Sequence, residues 1–119
     1  MSVARPLVLA LALLFSLLSI GQAAELAVAF VSVSSPVAPF SNAQVQVQTS
    51  PGAVCDIAVS YKTGPSRAKG LHPATADGRG RVGWQWRVGS NTTPGHWPIA
   101  VSCAKGAERA EARTQFEVR

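Results

Sequence analysis

Between Ala43 and Val118 apolar and polar side chains alternate at every second position in one short run after another, and each run is closed by Gly, Pro, Ser or Asn. Successive side chains of a strand point to opposite faces, so this period describes half-buried strands and argues against an amphipathic helix over the same residues. Gln44, Gln46 and Gln48 alternate with Val45 and Val47. Cys55, Ile57, Val59 and Tyr61 alternate with Asp56, Ala58 and Ser60. Ser50, Pro51 and Gly52 supply turn chemistry between these two runs, which therefore read as a hairpin.

The alternation is strongest from Arg81 to Val88, where Val82, Trp84, Trp86 and Val88 share one face opposite Gly83, Gln85 and Arg87. After the turn at Gly89–Gly95, the residues Trp97, Ile99, Val101 and Cys103 repeat the pattern. Pro98 lacks the N–H that a ladder needs and marks an edge or a strand start. Beyond Lys105 and Gly106, Ala110, Ala112, Thr114, Phe116 and Val118 point inward and Arg109, Glu111, Arg113, Gln115 and Glu117 outward. With Leu26–Val33 in front, six strands are expected.

The leading residues are of another kind. Met1–Arg5 carries one positive side chain and no acid, Pro6–Ile20 has no charge, and Gly21 and Ala23 place small residues three before and one before a cut after Ala23. This layout predicts a signal peptide at 1–23 and a secreted or periplasmic domain at 24–119. The competing layout is an uncleaved membrane anchor, since a span needs about 20 apolar residues. No Cys stands near position 20 to accept a lipid. Charged residues make up only 14% of the chain, with 10 Gly and 8 Pro, which favours a turn-rich fold over disorder.

Export gives meaning to the two cysteines, because disulfides persist in periplasmic and extracellular compartments. Cys55 and Cys103 each fall on the apolar side of their own run, judged from neighbours alone, so both sulfurs face the interior. That parity supports one structural disulfide over two buried thiols, and the lack of a CxxC spacing argues against a metal or catalytic pair. Closing a loop of this size contributes about 4 kcal/mol in the chain-entropy picture. The contribution matters to a domain that buries only about 60–65% of its unfolded surface.

Short antiparallel strands, one long connection and a cystine across the core predict an all-β, Greek-key β-sandwich, immunoglobulin-like in the broad sense. A small closed barrel of the oligonucleotide-binding kind would need a more curved, Gly-kinked set of strands. Asp77, Gly78, Gly80, Val82, Trp84, Trp86 and Val88, followed by Thr93, Pro94, Gly95, Trp97, Ile99 and Val101, carry a family likeness. This stretch resembles the second half of many bacterial Ig-like modules, in which a D-x-x-G turn leads into an apolar strand and a P-G turn into an aromatic-headed one. The resemblance covers about half of the mature chain and implies a spacer or binding domain of a surface protein or secreted enzyme. Trp84 and Trp86 stand 29 and 31 positions after Cys55, so the antibody-type arrangement is not the one resembled.

Residues able to carry chemistry are few. His72 and His96, the only histidines, have no Cys, Asp, Glu or second His at metal-ligand spacing, so no metal and no cofactor is expected. Ser66, His72 and Asp77 lack the elbow and scaffold of a catalytic triad. Asp77 reads instead as the opening of an Asx turn, with Gly78 and Gly80 at positive φ. Trp84, Trp86 and Trp97 share parity with the core and read as packing against the cystine, not as a stacking platform for sugars or bases. Asn91, Thr92 and Thr93 form a glycosylation sequon that reads as a turn.

One segment invites a functional reading. Lys62, Arg67, Lys69, Arg79 and Arg81 stand against the single acid Asp77 in a long connection, which holds either a short edge strand near Ala68–Leu71 or a binding loop. The basic residues lack interleaved aromatics, so nucleic acid is not the expected partner. The sequence thus predicts a non-enzymatic interaction module whose basic loop meets an anionic envelope component, a glycan or an acidic protein. The alternative is an inhibitor of a secreted hydrolase.

Overall fold

The computed structural model describes residues 25–119, so the expected signal peptide at 1–23 lies outside the described residues. The elements are all strands: β1 (Ala29–Val33), β2 (Asn42–Gln48), β3 (Val54–Tyr61), β4 (Gly64–Pro65), β5 (Ala74–Thr75), β6 (Arg81–Arg87), β7 (Gly95–Lys105) and β8 (Glu108–Val118). They form two sheets. One runs β1-β2-β6, the other β4-β3-β7-β8 with β5 also on β3, and every strand pairing is antiparallel.

The alternation in the sequence becomes the two inner faces. Ala43, Val45 and Val47 of β2 and Val82, Trp84 and Trp86 of β6 are buried on one side. Cys55 and Val59 of β3, Ile99, Val101 and Cys103 of β7 and Phe116 and Val118 of β8 are buried on the other. All of them belong to one core cluster. Each fully buried Val, Ile or Phe contributes about 1.5–3 kcal/mol by leaving water. The aromatic end of this core is ordered by geometry: the Trp86 ring meets Phe116 edge-on at 5.8 Å, and Tyr61 meets Phe116 at 6.0 Å. Trp86 Nε1 donates to Tyr61 Oη at 3.1 Å, which satisfies a polar atom that the core would otherwise strand.

The expected hairpin of β2 and β3 is not formed. β2 pairs with β1 and β6, whereas β3 pairs with β7, so Ser50–Gly52 carries the chain from one layer to the other. Their apolar faces oppose each other across the core instead of lying side by side. Alternation fixes which face is buried and leaves the hydrogen-bonding neighbour open.

The cystine is also placed differently. Cys55 and Cys103 pair directly across β3 and β7 within one sheet, with a sequence separation of 48 and 4.0 Å between Cα atoms. It therefore ties two neighbouring strands and does not bridge the layers. Both residues are buried, as parity required.

Three boundaries differ as well. The first strand begins at Ala29, not Leu26, whose N–H bonds Glu108 Oε2 at 3.0 Å. Ala68–Leu71 is a turn, closed by Leu71 N–H to the Ala68 carbonyl at 3.3 Å, and the edge strands of that connection are β4 and β5. Pro98 lies inside β7, opposite Gln115, and the ladder to β3 ends one residue further on at Val59–Ile99. The missing N–H thus falls where β3 asks for none.

Candidate interaction surfaces

The connection between β3 and β6 returns the chain along the outer side of β3. Gly64–Pro65 pairs with Ser60–Tyr61 at one end of that strand, and Ala74–Thr75 pairs with Val54–Cys55 at the other. Between them the segment leans onto β6. Trp84 Nε1 donates to the His72 carbonyl at 2.8 Å, and Gly70, at φ 98°, lies so close that a Cβ there would stand 2.0 Å from the Gln85 carbonyl oxygen. Ala68 and Leu71 pack partly buried against the core. The long connection is therefore a fitted cover for two strand edges.

Lys62, Arg67, Lys69, Arg79 and Arg81 all keep their side chains exposed on this cover. Lys62, Arg67 and Lys69 follow β3, whereas Arg79 stands in the turn before β6 and Arg81 opens β6 in the other sheet, so the five form an extended margin and do not converge on one point. Lys62 follows the last residue of β3, in a shallow hollow with Tyr61, Thr63 and Asn91, whereas Arg81 lines another beside Gln46 and Asp77 at the far end. The length of β3 separates the two ends, about 23 Å at a rise of 3.3 Å per residue.

Asp77 builds the turn at the far end. Its Oδ1 accepts the N–H groups of Arg79 at 2.8 Å and Arg81 at 2.9 Å, and Gly80 N–H bonds the Asp77 carbonyl at 3.0 Å. Gly80 has φ 77°, the left-handed value the turn needs, whereas Gly78 is not among the glycines at positive φ. Those two N–H groups, Arg81 first, hold the Asp77 carboxyl below its ordinary value of 3.8, aided by the neighbouring Arg79 and Arg81 charges. Arg81 Nε also donates to Gln48 Oε1 at 2.6 Å, and Gln48 Nε2 to the Arg79 carbonyl at 2.7 Å, so this end of the margin is held in place by hydrogen bonds to uncharged partners.

The other candidates sort by burial. Trp84 and Trp86 are 4% and 2% exposed and are closed to any ligand, while Trp97 is half-buried with Nε1 on the Thr93 carbonyl at 2.8 Å. His72 and His96 are both exposed, and the His72 ring lies on the Pro73 carbonyl through Nδ1 at 3.1 Å. No group of three or more His, Cys, Asp or Glu able to hold a metal occurs among the described residues. Asn91 is exposed in the turn after β6.

A surface that the sequence reading missed lies on the outer face of the larger sheet. Ala100 and Ser102 of β7 form the floor of a shallow trough, with Asp56 and Ala58 of β3 on one wall and Glu111 and Arg113 of β8 on the other. The floor is low because every outward position of central β7 from Pro98 to Ala104 is Pro, Ala or Ser. The signal was present as Pro98, Ala100, Ser102 and Ala104 at alternate positions, but its meaning depends on β7 being central.

No protein-family profile matches the chain, and no curated protein does. Similarity is found to solved structures, at identities that speak for the fold alone. One is a chitinase from Paenibacillus sp. str. FPU-7, a bacterial cell-surface-expressed multi-modular enzyme, matched at TM-score 0.54 and 14% identity over 81% of this chain. The chain spans only 9% of that protein's length. Another is a conjugative transposon lipoprotein from Bacteroides eggerthii DSM 20697, matched at TM-score 0.51 and 6% identity over 79% of this chain and 98% of the other. Both are bacterial, one is displayed on the cell surface and the other is a lipoprotein. No helix among the described residues is long and apolar enough to cross a membrane.

Proposed function

We propose that the chain is a non-enzymatic, extracytoplasmic interaction module of the immunoglobulin-like sandwich type, which docks through its basic margin onto a linear polyanion of the cell envelope. What supports this fold assignment is the strand order, β1-β2-β6 against β3-β7-β8, with β6 and β7 consecutive in sequence but in different sheets. Recurrence of the fold as a small part of a surface-displayed enzyme supports the role of a module.

The observation that carries the binding reading is the margin itself. Five basic side chains are exposed along it, and the only acid in the segment, Asp77, is engaged by the backbone of its own turn. An extended row of like charge suits a chain of regularly spaced anions better than a single anion, because each charge meets its own counter-charge and counterions are released.

Binding of the purified protein to immobilised heparin as a probe polyanion, followed against salt, tests this. The expected result is binding that weakens steeply with salt and falls at least tenfold in a Lys69→Glu/Arg79→Glu/Arg81→Glu variant. Equal binding by that variant overturns the basic-margin reading. A retained protein that ignores heparin but captures an acidic protein overturns the polyanion.

A further inference from the structure

A sheet has margins, and margins that are left bare invite another strand. Three of the four here are dealt with. The outer side of β3 is covered by β4 and β5, and the cover leans onto β6 through Gly70 and His72. The register of β1 shifts between Phe30 and Ser32, leaving a bulge at Val31 that spoils it as a template.

The fourth margin is β8, and it is regular. Its pairing with β7 runs without a break in register from Glu108 to Val118. Glu117 turns its backbone outward, with its N–H on Ser35 Oγ at 2.9 Å and its carbonyl on the Val37 N–H at 2.8 Å. Alternation then places the N–H and carbonyl groups of Gln115, Arg113, Glu111 and Arg109 on the same outer side, where no backbone or side-chain partner meets them among the described residues.

We propose that this margin pairs with the β8 of a second copy, antiparallel, about a two-fold axis at Ala112. In that register the four bare residues of each copy form wide, doubly hydrogen-bonded pairs, Glu111 with Arg113 of the second copy and Arg109 with Gln115. The outward side chains fit the same register. Glu111 and Arg113 already form an ion pair within the chain at 2.8 Å, and the axis sets each beside its opposite charge in the second copy. Moving the axis by one residue to Glu111 would put Glu111 against itself and Arg109 against Arg113, which like-charge repulsion disfavours. A row of lysines repels every incoming strand, whereas this sequence of signs repels others and accepts its own copy. At Ala112 the side chain on the axis is small, so two inner faces can meet there.

The product is one continuous sheet across both copies, with the basic margins at its two ends. Seven strand spacings separate them, about 34 Å. Two such margins on one particle strengthen attachment to a long polyanion without any new contact.

Light scattering coupled to gel filtration on the purified protein, over a range of concentrations, tests the pairing. The expected mass is twice that of the chain. Glu111→Arg should return it to a single chain, and Glu111→Arg with Arg113→Glu, which exchanges the two charges, should restore the doubled mass. Glu111→Pro removes an outward N–H together with the Glu111 carboxylate and should also give single chains, with the folded state of each variant checked by circular dichroism. A single-chain mass for the unaltered protein at every concentration overturns the proposal, as does a doubled mass that survives both Glu111→Arg and Glu111→Pro. The Lys69, Arg79 and Arg81 variant should keep the doubled mass, so loss of polyanion binding and loss of pairing are read separately.

Discussion

Cys55 and Cys103 stand directly opposite each other on neighbouring strands, 4.0 Å apart at Cα, with both side chains turned into the core. The short separation belongs to a narrow, non-hydrogen-bonded pair, which agrees with the outward backbone of Glu117 two strands' worth of alternation away.

Because the bridge lies within a sheet, losing it should leave the two layers packed. Its contribution is the closed loop in the unfolded chain, about 4 kcal/mol for a separation of this size. The Cys55→Ala/Cys103→Ala variant should keep its strand content and lose about 2–4 kcal/mol in denaturant titration. Collapse to an unfolded chain would show that the core cannot stand without the link.

Tyr61 carries the second prediction. Tyr61→Phe leaves Trp86 Nε1 buried without its acceptor and should cost about 1–3 kcal/mol, far more than removal of an exposed hydroxyl. Denaturant midpoints of the variant and the parent provide the measurement, and an unchanged midpoint would mean that Nε1 finds another partner.

Tyr61 is also the one tyrosine in the chain, so its ionisation can be followed alone. Burial raises its pKa above 10.0, partly offset by the Trp86 N–H, which favours the phenolate. A raised folded value means stability that is complete below the unfolded pKa and lost as pH climbs through the folded one. The tyrosinate absorbance should therefore develop above the free-tyrosine range, together with falling stability. A normal titration curve on intact protein would contradict the burial.

Asp77 gives the opposite sign. Its folded pKa is depressed by the Arg81 and Arg79 N–H groups, so its contribution is present above the ordinary value of 3.8 and is lost as pH falls through the folded one. Thermal midpoints measured against pH should fall at the acid end, and Asp77→Asn should flatten that part of the curve. Identical acid limbs in parent and variant would assign the acid sensitivity elsewhere.

Gly70→Ala should loosen the cover from β6. A side chain at φ 98° costs about 1–3 kcal/mol by itself, and its Cβ would collide with the Gln85 carbonyl at 2.0 Å. Amide exchange should rise through the segment from Ser66 to Pro73 while β7 and β8 stay protected. Gly52→Ala, with open space around its Cβ, is the control for positive φ alone.

What was legible in the sequence was face, and what was not was neighbour. The parity of Cys55 and Cys103, the burial of Trp84 and Trp86 and the turn at Asp77 follow from residues a few positions apart. That β2 and β3 belong to different layers, or that the cystine stays inside one sheet, depends on pairings between residues far apart in the chain, to which a period of two is blind. The basic segment was visible as composition. Its spread along a margin became visible only when β4 and β5 were found at opposite ends of β3. The alternating signs of β8 were equally plain, yet they acquire meaning from the covered state of the other margins.

The β7–β8 hairpin, closed at Gly106 with φ 61°, is the one long ladder whose partners are close in sequence. Its glycine has the positive φ of the first central position in a type II′ turn. As the chain emerges with its amino end first, β2 must wait for β6 and β3 must wait for β7. Cys55 is exposed long before Cys103 arrives. Local contacts form soonest, so folding should nucleate on the last strands made and recruit the earlier ones backward. Until then the apolar faces of β2 and β3 have only each other and β1 to pack against, and that waiting time is when the chain is most exposed to aggregation.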